Sequence, residues 1–595
     1  MEDIEDITDR NNDHPIDITK YNEIIKEFLD SDDYKKNINK FMSKMQSKHK
    51  MQLTKVNLLR AYMSHCVNNH QQHDPAIIKL LQRKPGRSQH GVMPVAVVMS
   101  PYPLGQTFTC KWDCSYCPNE EGQPRSYLKK EPGVQRANQN NFDPVLQMRD
   151  RLGSYFRTGH PCDKLEIIIL GGTWDSYPEE YRTDFITKLY FAANTFYDSQ
   201  KVDELRECGS LDEEKEINAE SKCQSHIIGI TIETRPDCIT GKSLKYLRRL
   251  GVTRIQMGVQ HIDQRLLHRI NRQCKTETVY LAIKNMLNCG FKYDIHIMPD
   301  LPRPFINEKQ DINNVTNEDI DQTYSVYEAD RCMFAKIVNV NDDQIKPDQI
   351  KIYPCEIVPF SRFEKEYNDG IHEPYAEQID PKENLSRLNV ILMEFKSQIN
   401  PWVRLNRVIR DIPNDYIIGG NKNVNMRQEL AHQMAERGLH CKCIRCREVG
   451  GSKISPDSAV LKVRKYRASD GDEYFVSFET DDEKTLFGFV RLRLSRLSGI
   501  FTHSNGEQET IFVELDDCAM IRELHVYGDT TPVNGNNGEK KHQHVGFGTR
   551  LLEEVFKIAR EHKYEKISVI AGNGVTEYYQ KFGFENHEFF MVKYF

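Results

Sequence analysis

Apolar residues in the first eighty positions recur at helical intervals. Ile24, Ile25, Phe28, Phe41, Met45, Leu58, Leu59 and Tyr62 fall on steps of one, three and four, which predicts a helical region over residues 17–82. The rhythm changes between residues 90 and 360. Short β-branched runs recur there: VMPVAVVMS, KLEIIILGGTW, HIIGITIETRPD, TRIQMGVQ, YDIHIMPDLP and DQIKIYPC. Segments with helical spacing, such as SLKYLRRLG and TVYLAIKNMLNCG, separate most of them. Strands alternating with helices predict a parallel sheet with crossover helices, and this many repeats predict a complete or partial β/α barrel.

Several of these runs end in polar or turn residues: Gly171-Gly172-Thr173, Glu233-Thr234-Arg235, Gln260 and Pro299-Asp300. Ligand sites in such folds lie at the carboxyl ends of the strands. Two polar stretches, ECGSLDEEKEINAESK and PFINEKQDINNVTNEDIDQTY, read as insertions, the first as a mobile surface loop. Past a further strand-like piece, PWVRLNRVIRDIP, alternating runs resume in DEYFVSFET, LFGFVRLRLS, TIFVELDD and AMIRELHVYG. The chain closes with a glycine turn into an amphipathic helix and the run KISVIAGNGVTEYYQKFGF. The expected organisation is a helical region over 1–85, a barrel domain over 86–400, a linker over 401–455 and an α/β unit over 456–595.

The 595-residue length suits three to four domains. No apolar run approaches the roughly 18 residues of a membrane span, and the acidic N-terminus MEDIEDITDRNNDHPID does not read as a signal peptide. A cytoplasmic protein with 16 reduced cysteines is expected. The net charge of -6 is unevenly spread. No Asp or Glu lies between Tyr34 and His73, a window holding Lys35, Lys36, Lys40, Lys44, Lys48, Lys50, Lys55 and Arg60. Such a basic face suits phosphate binding, an ordinary solvated helical domain being the other reading.

Cys110, Cys114 and Cys117 lie within eight residues, just beyond the first strand run. Three thiolates can hold three corners of a cubane [4Fe–4S] cluster and leave one iron open. This is the cysteine signature of the radical SAM superfamily, and Gly171-Gly172 resembles its glycine-rich SAM-binding element. A zinc knuckle with a distant fourth ligand is the competing reading.

Further along, QHVGFG precedes a helix, and glycines at a helix N-terminus suit a pyrophosphate. The strand before it and VIAGNGVTEYYQKFGF after it make the unit resemble the Gcn5-related N-acetyltransferase (GNAT) fold, which binds acetyl-CoA.

With both units in one chain, the phrases KPGRSQHGV, ETRPD, MPDLP, VIRDIP, REVG, RELHVYG, QHVGFG and YYQKFGF resemble the family of tRNA uridine(34) acetyltransferases, the catalytic subunits of Elongator, over about residues 80–595. Eukaryotic members space the first two cluster cysteines more widely than the x3 spacing found here. The resemblance implies an α/β protein with a radical SAM partial barrel, a GNAT domain and a helical, tRNA-binding N-terminal region. It implies formation of 5-carboxymethyluridine at the wobble uridine, with a [4Fe–4S] cluster on Cys110, Cys114 and Cys117, SAM as cofactor and acetyl-CoA as co-substrate. Acetyl-CoA contacts carry over to Lys164, Glu523, Leu524, His525, Val526, Gly546, Phe547, Gly548 and Tyr579, with Lys164 and Tyr579 the catalytic candidates. Glu233, Arg235 and Gln260 are further SAM or substrate candidates. An electron donor is implied, and accessory Elongator-like subunits or a homodimer are the partner candidates besides tRNA.

The segment HCKCIRCREVG offers Cys441, Cys443 and Cys446, which read as a structural zinc site, with His432 and His440 as candidates for a fourth ligand. Unliganded reduced thiols are the other reading. Two further functions compete with the RNA-modifying enzyme: a lysine acetyltransferase using Glu523 as base on a structural barrel, and a scaffold with decayed sites.

Overall fold

The structure is a computed structural model describing residues 18–31, 37–107, 110–199, 202–307, 310–450, 452, 454–528 and 546–595. Four helices open it: α1 (Ile18–Asp30), α2 (Ile38–His49), α3 (Lys55–Asn68) and α4 (Pro75–Leu81). Side chains of Asn37, Thr54 and Asp74 accept backbone N–H bonds at the starts of the last three, satisfying donors that a helix leaves open. The predicted apolar positions form a separate small core, in which Ile24, Phe28, Phe41, Met45 and Leu58 meet.

Seven parallel strands follow: β1 (Met93–Val98), β2 (Lys164–Leu170), β3 (His226–Thr234), β4 (Val252–Gln260), β5 (Lys292–Ile297), β6 (Gln349–Ile352) and β7 (Arg404–Arg407). They pair in chain order, β1 to β7, as a partial barrel. Along β2, Leu165, Ile167 and Ile169 are buried while Lys164, Glu166, Ile168 and Leu170 are half-exposed. The buried set joins the main core; the half-exposed set lines the lumen.

The C-terminal unit holds β8 (Ala459–Ala468), β9 (Gly471–Thr480), β10 (Leu486–Leu494), β11 (Ala519–Val526), β12 (Lys566–Val569), β13 (Glu585–Asn586) and β14 (Met591–Tyr594). Their order is β8-β9-β10-β11-β12-β14-β13, antiparallel except for β11 beside β12. This unit closes the amino-terminal end of the barrel. Arg254 on β4 donates to Asp294 on β5 (3.0 Å) and to Glu523 on β11 (2.5 Å), and Arg491 on β10 donates to Glu523 (2.9 Å). Arg522 binds Asp348 (2.7 and 2.8 Å) and Glu473 (2.8 Å). All these side chains are buried, so the charges persist only because each is paired.

Three expectations need correction. The stretch 401–455 is no free linker: β7 pairs with β6, and the helix Met426–Glu436 packs on Arg387–Gln398. β7, Arg-Leu-Asn-Arg, lies inside the stretch expected to be strand-like, but its polar lumen-facing residues gave no sign that it closes the barrel sheet. The acidic insert is ordered: Ser210 and Glu213 form a capping box for the helix Leu211–Ala219, and Arg206 holds buried Glu214. TIFVELDD is not a ladder strand: it holds a short turn at Val513–Leu515, with Phe512 edge-on to Phe589 and Phe590.

Candidate functional site

One continuous cavity of about 1160 Å³ reaches from the three-cysteine loop, through the lumen of the partial barrel, to the face of the C-terminal sheet. It is lined by Cys110, Cys114 and Cys117 at one end and by Leu524, His525, Val526, Gly546, Gly548 and Tyr579 at the other. Lys164, Glu233, Arg235, Gln260 and Gly172 line it between them.

At the carboxyl end of the strands, the Arg235 guanidinium donates to the Cys114 sulfur (3.6 Å), as does Arg272 (3.5 Å). Contact with Cys117 and these two arginines holds the Cys114 thiol well below its ordinary range, while Cys117 is pushed up. Arg272 also donates to the Tyr116 hydroxyl (3.2 Å), and Arg235 lies 4.2 Å over the Trp112 ring. Cys110 contacts the Thr173 hydroxyl (3.4 Å), just past Gly171 and Gly172. Both glycines have positive φ (137° and 89°), and a Cβ on Gly171 would come within 2.9 Å of Met99. Glu233 accepts a 2.6 Å bond from Tyr127 and lies 3.8 Å from Lys351, while Gln260 takes φ 69° at the end of β4.

Only Cys441, Cys443 and Cys446 gather three ligand atoms within 4.8 Å among the described residues. That crowding suits one tetrahedral ion, whose ligand sulfurs sit roughly 4 Å apart at about 2.3 Å from the metal. Neither His432 nor His440 joins that group; His432 is exposed and pairs with Glu436 (3.2 Å). Cys110, Cys114 and Cys117 do not gather as such a trio, although Cys114 and Cys117 are in side-chain contact.

At the other end, β11 and β12 pair only from Ala519–Ile521 to Ile567–Val569. Glu523–Val526 extend past that pairing along the cavity. Gly546, at φ 80°, caps the helix Phe547–Glu561, so the N-terminal amides of this helix open beside the cavity. A Cβ on Gly548 would meet the Tyr578 hydroxyl at 2.6 Å. Burial raises the Tyr579 phenol and lowers the Lys164 ammonium pKa. Burial also keeps His525 neutral, lowered to about 4, with its ring at 2.7 Å from the His90 carbonyl. Glu523 sits between Arg254 and Arg491, which hold its carboxyl well below the usual range despite burial.

Residues without a sequence signal complete the site. Arg87, Arg136 and Arg151 line one part of the cavity and Arg404, Arg407, Arg410 and Arg445 another. Burial, then neighbouring arginines, lowers Arg136 and brings Arg445 to about 10, a strain that a bound anion would relieve. Of the N-terminal lysines, Lys48 pairs with Glu27 (2.6 Å) and Lys55 donates to the Leu80 carbonyl (2.9 Å). Lys40, Lys44 and Lys50 are exposed, Arg60 is half-buried, and Lys35 and Lys36 lie outside the described residues.

A parallel partial barrel with a three-cysteine loop, closed by an acetyltransferase-like sheet, defines a radical SAM protein fused to a GNAT domain. The family models agree: the radical SAM superfamily matches residues 106–303, its C-terminal domain 347–437 and the acetyltransferase (GNAT) family 451–584. The chain is 34% identical to the tRNA uridine(34) acetyltransferase of Methanocaldococcus jannaschii, over 87% of each chain. It is 32% identical to Elongator complex protein 3 of Saccharomyces cerevisiae, over 86% of this chain and 85% of that one. The solved structure of archaeal Methanocaldococcus infernus Elp3 with an N-terminal deletion superposes with a TM-score of 0.65 at 30% identity, covering 85% of this chain and 99% of that one. The chain belongs to the tRNA uridine(34) acetyltransferase family, that of the third Elongator protein, and is a radical SAM acyltransferase. No helix among the described residues is long and apolar enough to cross a membrane.

Proposed function

We propose that this chain forms 5-carboxymethyluridine at the wobble uridine, joining the methyl carbon of acetyl-CoA to C5 of the base, with thioester hydrolysis leaving the carboxylate. The continuous cavity between the cysteine loop and the acetyltransferase face carries this reading, because such a transfer needs one connected space.

Cys110, Cys114 and Cys117 would hold a [4Fe–4S] cluster, which with SAM supplies one-electron, hydrogen-abstracting chemistry. Arg235 and Arg272 keep Cys114 ready as a thiolate, and Gly171-Gly172 let the backbone approach the SAM side. The helix start at Gly546–Gly548 offers amides to the CoA pyrophosphate, Lys164 a cation and Tyr579 a hydroxyl near the thioester. The arginine-lined part of the cavity and exposed Lys40, Lys44 and Lys50 suit tRNA phosphates. Cys441, Cys443 and Cys446 suit zinc, with the fourth ligand from outside the described His, Cys, Asp and Glu residues. A cytoplasmic setting, an external electron donor and Elongator-like partner subunits complete the proposal.

The lysine acetyltransferase alternative loses its base. Glu523 is locked by two arginines and ionised, a poor acceptor for an ammonium proton. Anaerobic reconstitution tests the choice: SAM cleavage and tRNA-stimulated acetyl-CoA consumption should both vanish in Cys114→Ala. Full lysine-peptide acetylation by that variant, without tRNA dependence, would overturn the proposal.

A further inference from the structure

The carboxyl end of the barrel holds a buried acid that the chemistry above does not use. Glu356 stands four residues past Ile352, the last residue of β6, and so at the same end of the strands as the cysteine loop. It lines the cavity, and its Oε2 is buried without a hydrogen-bond partner. The Asn421 side chain bonds to the carboxyl, which leaves Oε1 as the oxygen that accepts. Arg410, which faces the acid, donates instead to Glu131 (2.7 and 3.3 Å) and to the Ser126 carbonyl.

The cavity wall around Glu356 suits a flat heterocycle. Tyr127, Tyr353, Val358 and Ile412 line it, and Val358 and Ile412 share a small apolar core with Leu128 and Ile417. A nucleobase is held by apolar or aromatic faces and a few polar groups at its edge.

We propose that Glu356 is a specificity-determining residue for the base that reacts, its carboxyl O–H donating to the C4 carbonyl oxygen of the wobble uracil. This rests on the tRNA reading above. C4 is bonded to C5, the carbon to be modified, so a group beside the reacting edge meets this oxygen. Cytosine carries an amino group there, which would set donor against donor. Donation requires the acid to keep its proton at neutral pH. Burial pushes its pKa up to about 8, against Arg410 and Asn421 and with Glu131 and Asp411. The neighbouring Cys355 thiol is itself raised by burial and brings no charge.

The test uses the full chain with its cluster reconstituted anaerobically, without reductant, SAM or acetyl-CoA, so that nothing turns over. Binding is measured at fixed salt for two tRNA transcripts that differ only in having uracil or cytosine at the wobble position. At pH 6.5 the wild type should favour the uracil transcript by about tenfold, the scale of one buried hydrogen bond left unmade. That ratio should fade as the pH rises through about 8, because an ionised carboxylate has only acceptors to set against O4. Glu356→Gln, whose amide donates at any pH, should keep the ratio from pH 6.5 to 9. Glu356→Leu should lose it at every pH while melting like the wild type; if that variant does not fold, the contrast between wild type and Glu356→Gln decides. A wild-type ratio that is absent at pH 6.5, is flat to pH 9 or survives in Glu356→Leu overturns the assignment alone. A chain that binds neither transcript overturns the tRNA reading and the assignment with it.

Discussion

Glu523 is the residue at which structure and sequence expectation diverge most, so its replacement is the most informative perturbation of the fold. Its carboxylate accepts from Arg254 of the barrel (2.5 Å) and Arg491 of the C-terminal sheet (2.9 Å), and its side chain is 7% exposed. Glu523→Gln keeps the shape but turns an amide toward a guanidinium and leaves two buried cations short of a counter-charge. Removing one partner of a buried pair costs about 3–5 kcal/mol. At roughly 2–4 °C per kcal/mol for a unit of this size, the melting point of the unliganded protein should fall by about 10 °C.

The pH dependence has a definite sign. The folded carboxyl titrates below its unfolded value of about 4.3, so the stabilisation is full above that pH and lost as the pH falls through the folded pKa. The gap between wild type and Glu523→Gln is therefore complete at pH 7 and narrows below about pH 4. Calorimetric melting from pH 3 to 8 checks this. An unchanged melting point with lost acyl transfer would show a catalytic base instead of an anchor between domains.

Arg272→Ala should raise the Cys114 pKa, slow its alkylation by iodoacetamide at pH 7 and lower iron content after reconstitution, measured by peptide mapping and iron assay. Gly548→Ala should weaken CoA binding by about tenfold or more, about 1.4 kcal/mol, because the new methyl displaces the Tyr578 hydroxyl; calorimetry reads it. The protein should bind one zinc per chain, released by a mercurial and absent from Cys443→Ser. Replacing Lys40, Lys44 and Lys50 with Ala should weaken tRNA binding and flatten its salt dependence, the slope falling by about one for each phosphate that is no longer neutralised.

The cysteine loop, the glycine turn and the alternating strands were legible because each needs particular residue types at fixed spacing. The helical core around Phe28 and Phe41 was legible for the same reason. The arginines lining the cavity were not: Arg87, Arg151, Arg407 and Arg445 come from segments far apart in sequence, and only the fold brings them to one space. Glu523 sits in a phrase shared with the family, but its partners Arg254 and Arg491 lie on other strands, so its role as an anchor had no local signal. Strand β7 escaped assignment as part of the barrel because its lumen-facing positions are polar. Lys48 looked available for phosphate until the fold set Glu27 beside it.

The central claim is that one connected cavity uses both halves of the chain for a single reaction. Anaerobically reconstituted protein given SAM, a reductant, tRNA and acetyl-CoA labelled at the methyl carbon should place that carbon on C5 of the wobble uridine, read by nucleoside mass spectrometry. The product should vanish in Cys114→Ala. Label recovered only on lysine side chains, or on tRNA at the same level in that variant, would contradict the account.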